Sequence, residues 1–249
     1  MTDTRNPHGY PETADIETSN DDYATRFRGA TGAWMLKMQE KGVLRLLAKG
    51  GPKPGATVLD VGGGHGQLAH PLVREGYKVT VLSSAESCKH RIADIVDAGT
   101  CEFQVGNVIE LPYPDKSFDA VVAVRMLTHC EAWPQLVKEM CRVSRGPVVT
   151  DYPTSQSLNA IAPALFNAKK KYEKNTRTWR LFKHREVTDA FAAQGFSRTG
   201  RFGQFFLPMV VHRALKCRAL SAFLEGCCRL VGFSAAWGTP VIARFERTK

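Results

Sequence analysis

The run Val58-Leu59-Asp60-Val61-Gly62-Gly63-Gly64-His65-Gly66 constrains the fold more than any other stretch of the chain. Apolar and β-branched residues around a single carboxylate read as a buried strand, and they lead straight into glycines at alternate positions. Glycine at 62, 64 and 66 removes the Cβ where backbone bends tightly and lies against a ligand; the residues from Gln67 onward resume as a helix. The spacing is GxGxG. A dinucleotide fingerprint needs GxGxxG, and its third glycine position is Gln67 here, which argues against a nicotinamide or flavin oxidoreductase and towards a ligand without a pyrophosphate.

Downstream stands a second ordered stretch, Gly106-Asn107-Val108-Ile109-Glu110-Leu111-Pro112-Tyr113-Pro114-Asp115-Lys116-Ser117-Phe118-Asp119. Periodicity places strands near 57–61, 78–82, 101–105, 118–124 and 147–151, with helices near 67–75, 86–98 and 131–143. Such alternation calls for a mostly parallel sheet covered on both faces. The first of these motifs resembles motif I of the class I S-adenosylmethionine-dependent methyltransferases. The second resembles that family's "GDA..LPFPD.SFD.V" signature. The likeness is close from Ala56 to Thr150 and is nearest to the small-molecule branch that includes the ubiquinone and menaquinone methylases. It implies an α/β, Rossmann-like, seven-stranded sheet, mostly parallel, with helices on both faces and a C-terminal antiparallel hairpin.

The expected organisation is a disordered lead-in over 1–20, a helical cover over 21–55, a cofactor-binding core over 56–153, a cap over 154–183 and C-terminal helices and strands over 184–249. Within that last part, 186–194 reads as a helix, 196–207 and 239–245 as strands, and 208–231 as one long amphipathic helix or a helix pair. No apolar run approaches the roughly 20 residues that span a bilayer, and the N-terminus lacks the basic and apolar regions of a signal peptide, so a cytoplasmic protein is expected. Seven cysteines without a CxxC pair read as reduced structural thiols, and nothing in the sequence calls for a metal. The net charge of +10 is uneven: from Asp151 onward there are 17 Lys and Arg against 6 Asp and Glu. Its densest cluster is Lys169, Lys170, Lys171, Lys174, Arg177, Arg180 and Lys183. The ordinary reading is a solvated helix face; the alternative is an anionic acceptor or a peripheral membrane contact. With no recognised module beside it, nucleic acid is not expected.

What the resemblance implies for single residues is this. Asp60 holds the methionine end of S-adenosylmethionine through its ammonium group, with Gly62, Gly64 and Gly66 forming the loop beside it. An acid normally ends the second strand and takes both ribose hydroxyls, but this chain has Ser83 and Ser84 there. Either these serines serve with water, or Glu86 reaches back, although Glu86 also matches a capping box with Ser83, the more ordinary role. The missing acid keeps a catalytically inactive, ligand-binding or regulatory homologue open as the alternative function. Gly106, Asn107 and Val108 stand at the adenine, where Asn107 can accept from the amino group, unless it only makes a local turn. Arg125 and Met126 line the methyl group. His129 is the candidate general base for an oxygen acceptor, against the more common reading of a histidine that bonds backbone at a helix start. Tyr152 is a second acceptor-site candidate, and Tyr23 is expected in a helix folded over the cofactor. The product is S-adenosylhomocysteine, and the acceptor is a small molecule, lipophilic or anionic.

Overall fold

The computed structural model describes residues 8–158 and 180–248. Seven strands form one sheet: β1 (Thr57–Val61), β2 (Lys78–Ser83), β3 (Cys101–Val105), β4 (Ala120–Ala123), β5 (Val148–Tyr152), β6 (Phe196–Phe205) and β7 (Thr239–Arg247), in the spatial order β3-β2-β1-β4-β5-β7-β6. The first five run parallel. β7 is antiparallel to both β5 and β6, the C-terminal arrangement expected from sequence. Strand order reverses between β1 and β4, so the crevice beyond their carboxyl ends is the natural ligand site of such a sheet.

Every residue of β4 and β5 is buried, because helices cover both faces and a parallel strand has no wet side. On one face α3 (Gly29–Ala48) and α4 (Ala69–Arg74) pack Val43, Leu47, Leu68 and Leu72 on Val58, Val81, Val122 and Ile242. On the other, α6 (Trp133–Val143) and α7 (His184–Ala192) press Leu136, Met140 and Phe191 on Leu59, Val121 and Phe245. The buried Arg244 ties the first layer together by donating to Leu46 O and Leu47 O, at 2.5 and 2.8 Å, where the last turn of α3 leaves carbonyls without helical partners.

The 106–119 stretch is a brace. Asp119 accepts from Thr57 N at 2.9 Å and Thr57 Oγ1 at 3.0 Å, which anchors the start of β1. Glu139 on α6 accepts from Leu111 N at 2.8 Å, and Arg142 donates to Leu111 O and Tyr113 O at 2.9 and 2.7 Å. This motif therefore sets the depth of β1 and β4 relative to α6.

Several expectations need correction. The lead-in is ordered from residue 8: α1 (Ala14–Thr18) and α2 (Asp21–Thr25) precede α3, and Glu12, Asp15, Thr18 and Ser19 are buried. Polar composition suggested disorder, but these polar groups find partners within the chain: Asp15 accepts from Ser84, and Thr18 and Ser19 donate to Asp15 O. Glu12 accepts from Ala132 N at 2.6 Å at the start of α6, and Arg91 donates to Ser19 O at 2.9 Å, so residues 12–19 strap the crevice from one side to the other. The helix expected over 86–98 is a 3-10 turn, Glu86–Arg91, followed by the short α5 (Ala93–Asp97). The 208–231 stretch is the helix pair, α8 (Met209–Leu215) and α9 (Arg218–Leu230), and a further short helix, α10 (Phe233–Trp237), follows it. Most of the 154–183 cap, with Lys169, Lys170, Lys171, Lys174 and Arg177 of the basic cluster, lies outside the described residues. Among the described residues no helix is long and apolar enough to cross a membrane.

Candidate functional site

β1 carries Asp60 to the crevice. The carboxylate is fully buried and neither oxygen has a hydrogen-bond partner. Burial pushes its pKa up to about 7, with the Arg125 guanidinium pulling the other way. A buried, unpartnered acid is expensive, so these two oxygens need a cationic donor more than any other atoms in the crevice.

The loop above it takes up a 3-10 turn over Gly63–His65, entered and left through left-handed residues Gly62 (φ +71°) and Gly66 (φ +73°), a conformation that excludes most side chains. Part of the glycine requirement comes from the protein itself. A Cβ on Gly62 would collide with Met126, one on Gly63 with Asp60, and one on Gly64 with Cys88 and with Ser19 Oγ of the strap. His65, inside the loop, accepts from Gln67 N at its Nδ1 (3.2 Å) while Nε2 faces Val124 O at 3.4 Å. Burial and the neighbouring Arg125 hold its pKa well below the usual histidine value, so the ring is neutral with its proton on Nε2.

Arg125 follows β4 in a left-handed conformation (φ +61°) that is costly for a side chain this size. Asp151, at the end of β5, holds it there. One carboxylate oxygen accepts Arg125 N at 2.6 Å and the other accepts Gln39 Nε2 at 2.7 Å. Burial lifts Asp151 to about 6 despite these donors. The Arg125 guanidinium donates to Gln67 Oε1 and lies over the rings of Tyr23 and Phe27, at 5.4 and 5.2 Å. Tyr23, on α2, is thus packed against Arg125.

At the tip of β2, Ser83 is fully buried with an unpartnered hydroxyl. Ser84 donates its backbone N–H and its hydroxyl to the two oxygens of Asp15, at 2.6 and 2.5 Å. Burial raises the Asp15 pKa, and the Ser84 donors oppose it. An acid does stand at the end of β2, then, but α1 delivers it from 69 positions upstream. Glu86 is exposed, and the turn that it starts is preceded by Ala85 with no side-chain cap, so neither the reach-back nor the capping box forms.

The remaining candidates divide. Gly106 N donates to Ser83 O at 2.9 Å, which sets the third loop beside the second. Asn107 Oδ1 accepts from Ile109 N at 3.2 Å, the local turn weighed against an adenine contact. Val108 is buried in the core, and Met126 is buried against Gly62. His129 ends the 3-10 turn Leu127–His129, half-buried, with its N–H on Met126 O. The returning end of the cap docks on this turn: Arg180 N donates to Thr128 O at 3.1 Å, and Thr128 Oγ1 to Arg180 O at 3.0 Å. Tyr152 does not join His129. Its side chain points into the layer under α7, fully buried, with its hydroxyl 3.0 Å from His184 Nδ1 and its ring edge-on to Phe182. The two-residue alternation of β5 puts Tyr152 on the face opposite Asp151, and Asp151 is the one that reaches the crevice. Glu12, Asp15, Ser19, Gln39, His65 and Asp151 all escaped the reading by motif. The acids of the strap sat in a polar stretch with no apolar period to betray burial, while His65 lay within the glycine motif itself.

Residues 59–146 match the family described as Methyltransferase domain. The ubiquinone/menaquinone biosynthesis C-methyltransferase of Hahella chejuensis is 34% identical over 104 residues, covering 39% of this chain and 42% of that protein. A sterol 24-C-methyltransferase of Gibberella zeae is 35% identical over 98 residues, covering 37% and 26%. The matches thus span well under half the length of these curated relatives. Among solved structures, magnesium protoporphyrin IX methyltransferase from Synechocystis PCC 6803 with bound S-adenosylhomocysteine superposes with a TM-score of 0.63 at 15% identity, over 93% of this chain and 97% of that one. Residues 59–146 thus match a methyltransferase domain, and the sheet around them has the fold of the S-adenosylmethionine-dependent methyltransferases it superposes on.

Proposed function

We propose that the protein is an S-adenosylmethionine-dependent methyltransferase acting on a small acceptor of lipophilic or anionic character. The observation that carries this reading is Asp60, a buried carboxylate with both oxygens unpartnered beneath a glycine loop. Such a group fits an ammonium ion. S-adenosylmethionine supplies an activated methyl group on a sulfonium, together with the ammonium that Asp60 lacks. Asp60 holds the methionine end; Asp15, already seated on Ser84, offers acceptor oxygens to the ribose diol, which one acid oxygen pair suits; and Gly106 to Val108 border the adenine. The strap over residues 12–19 crosses the crevice from Ala132 to Ser84. Arg125, pinned by Asp151, fixes the floor under Tyr23.

The acceptor lies beside His129, next to the turn on which Arg180 docks through Thr128. Methyl transfer is an in-line displacement, so alignment supplies much of the acceleration. For an oxygen acceptor, His129 takes the proton as the bond to carbon forms. Incubation with methyl-labelled S-adenosylmethionine and a metabolite extract, followed by mass spectrometry, tests the reading: a labelled small molecule is expected. Binding without turnover would mark an inactive homologue instead. With the acceptor in hand, His129→Ala should lower kcat by at least about a hundredfold while calorimetry shows unchanged cofactor affinity. Equal turnover in the variant at every pH would remove the base and leave alignment alone.

A further inference from the structure

All eight large apolar side chains that are exposed among the described residues lie between Val210 and Trp237. α9 shows why. Its outward stripe is Leu220, Phe223, Cys227 and Leu230, at helical spacings of three and four, and Phe223 and Leu230 are 67% and 89% exposed. Its inward face holds Ser221 and Glu225. An amphipathic helix on a soluble domain normally does the reverse.

The orientation is specified by the inward side. Glu225 accepts from Leu207 N at 2.8 Å, Phe206 N at 3.0 Å and His212 Nε2 at 3.1 Å, so turning α9 over would strand all of these groups. α8 and α10 extend the outward apolar surface with Val210, Leu215, Phe233 and Trp237.

Charge indicates what covers this face. Between residues 190 and 245 the chain has seven Lys and Arg, of which Arg244 is buried beside α3, and one acid, Glu225, which is also buried. Lys216 and Arg218 stand exposed where α8 meets α9, and Arg201 donates to Ala235 O of α10 at 2.7 Å. A second copy is disfavoured, since an isologous contact would bring two faces of the same positive charge together. We propose that α8, α9 and α10 form a docking surface for an anionic lipid bilayer, with the α9 stripe sunk into the headgroup boundary and the cationic residues on the phosphates. This inference is independent of the methyl-transfer reading.

The test is co-sedimentation of the full chain with vesicles of phosphatidylcholine containing phosphatidylglycerol, against vesicles of phosphatidylcholine alone. Binding to the anionic vesicles only, weakening with salt, is expected. Phe223→Asp with Leu230→Asp should weaken it at least about tenfold. Lys216→Glu with Arg218→Glu should weaken it about fivefold per charge and flatten the salt dependence. Both pairs should keep wild-type circular dichroism and cofactor affinity. The proposal is overturned if the wild type ignores anionic vesicles, if neither pair changes binding, or if the chain is a dimer that Phe223→Asp converts to monomer.

Discussion

Asp60 beneath the glycine loop and Glu225 beneath α9 are both buried acids, yet Asp60 accepts no hydrogen bond while Glu225 accepts four, from Phe206 N, Leu207 N, His212 and Ser234. Their titration follows. Burial raises Asp60 to about 7; burial also works to raise Glu225, but its donors more than offset this and hold it below the ordinary glutamate value. Burial alone therefore marks neither structure nor function. An acid whose donors are all supplied by its own chain is part of the frame, and one left without donors waits for a ligand.

Exchanging the two acids gives the largest effects. Asp60→Asn should weaken S-adenosylmethionine binding at least about a hundredfold, near 2.7 kcal/mol, while the unfolding temperature at pH 8 stays level or rises because an unpaired buried charge is gone. Glu225→Ala should do the opposite, leaving affinity alone and costing about 2–4 kcal/mol of stability through stranded donors. Calorimetry and thermal unfolding on the two variants decide the matter. Loss of stability in Asp60→Asn with binding intact would reverse the assignment.

Proton linkage sharpens the same contrast. In the free protein Asp60 is protonated below about pH 7, whereas a bound ammonium group holds it ionised. Binding thus expels a proton, and affinity is full above pH 7 and falls by up to about tenfold per unit as pH drops. Stability runs the other way: the folded form keeps this proton while the unfolded form, near the ordinary aspartate value of 3.8, has lost it, so Asp60 makes the free fold less stable as pH rises from about 4 to 7. Asp60→Asn should abolish both slopes. A pH-independent affinity in the wild type would mean that the ligand does not meet Asp60.

Smaller effects are expected at the tip of β2. Asp15→Ala should weaken cofactor binding by about tenfold, the value of a charge-assisted hydrogen bond. Ser83→Asp alone should also weaken it, by placing a second carboxylate beside Asp15, and the double change with Asp15→Asn should recover much of the loss. Additive losses in the double variant would show that Asp15 and position 83 act separately.

The strand-to-loop transition at Asp60 and Gly62, the alternation of strands and helices, and the antiparallel C-terminal strands were legible because each is a short-range pattern of Cβ absence, apolar run or period. By itself the sequence determined that β1 ends in a ligand loop with one acid under it. It also determined that 208–231 carries an apolar stripe.

Only tertiary structure decided where the partners of those features lie. The acid at β2 comes from Asp15, because burial of a polar segment depends on donors 69 residues away that no local period reports. Tyr152 turns under α7 while its neighbour Asp151 enters the crevice on the α3 side, a choice made by the alternation of β5 and by which helix covers each face of the sheet. The stripe of α9 faces outward because Phe206 N, Leu207 N and His212 claim Glu225 from within. A period tells that a helix has two faces; which one meets water is set by the hydrogen bonds waiting on the other side.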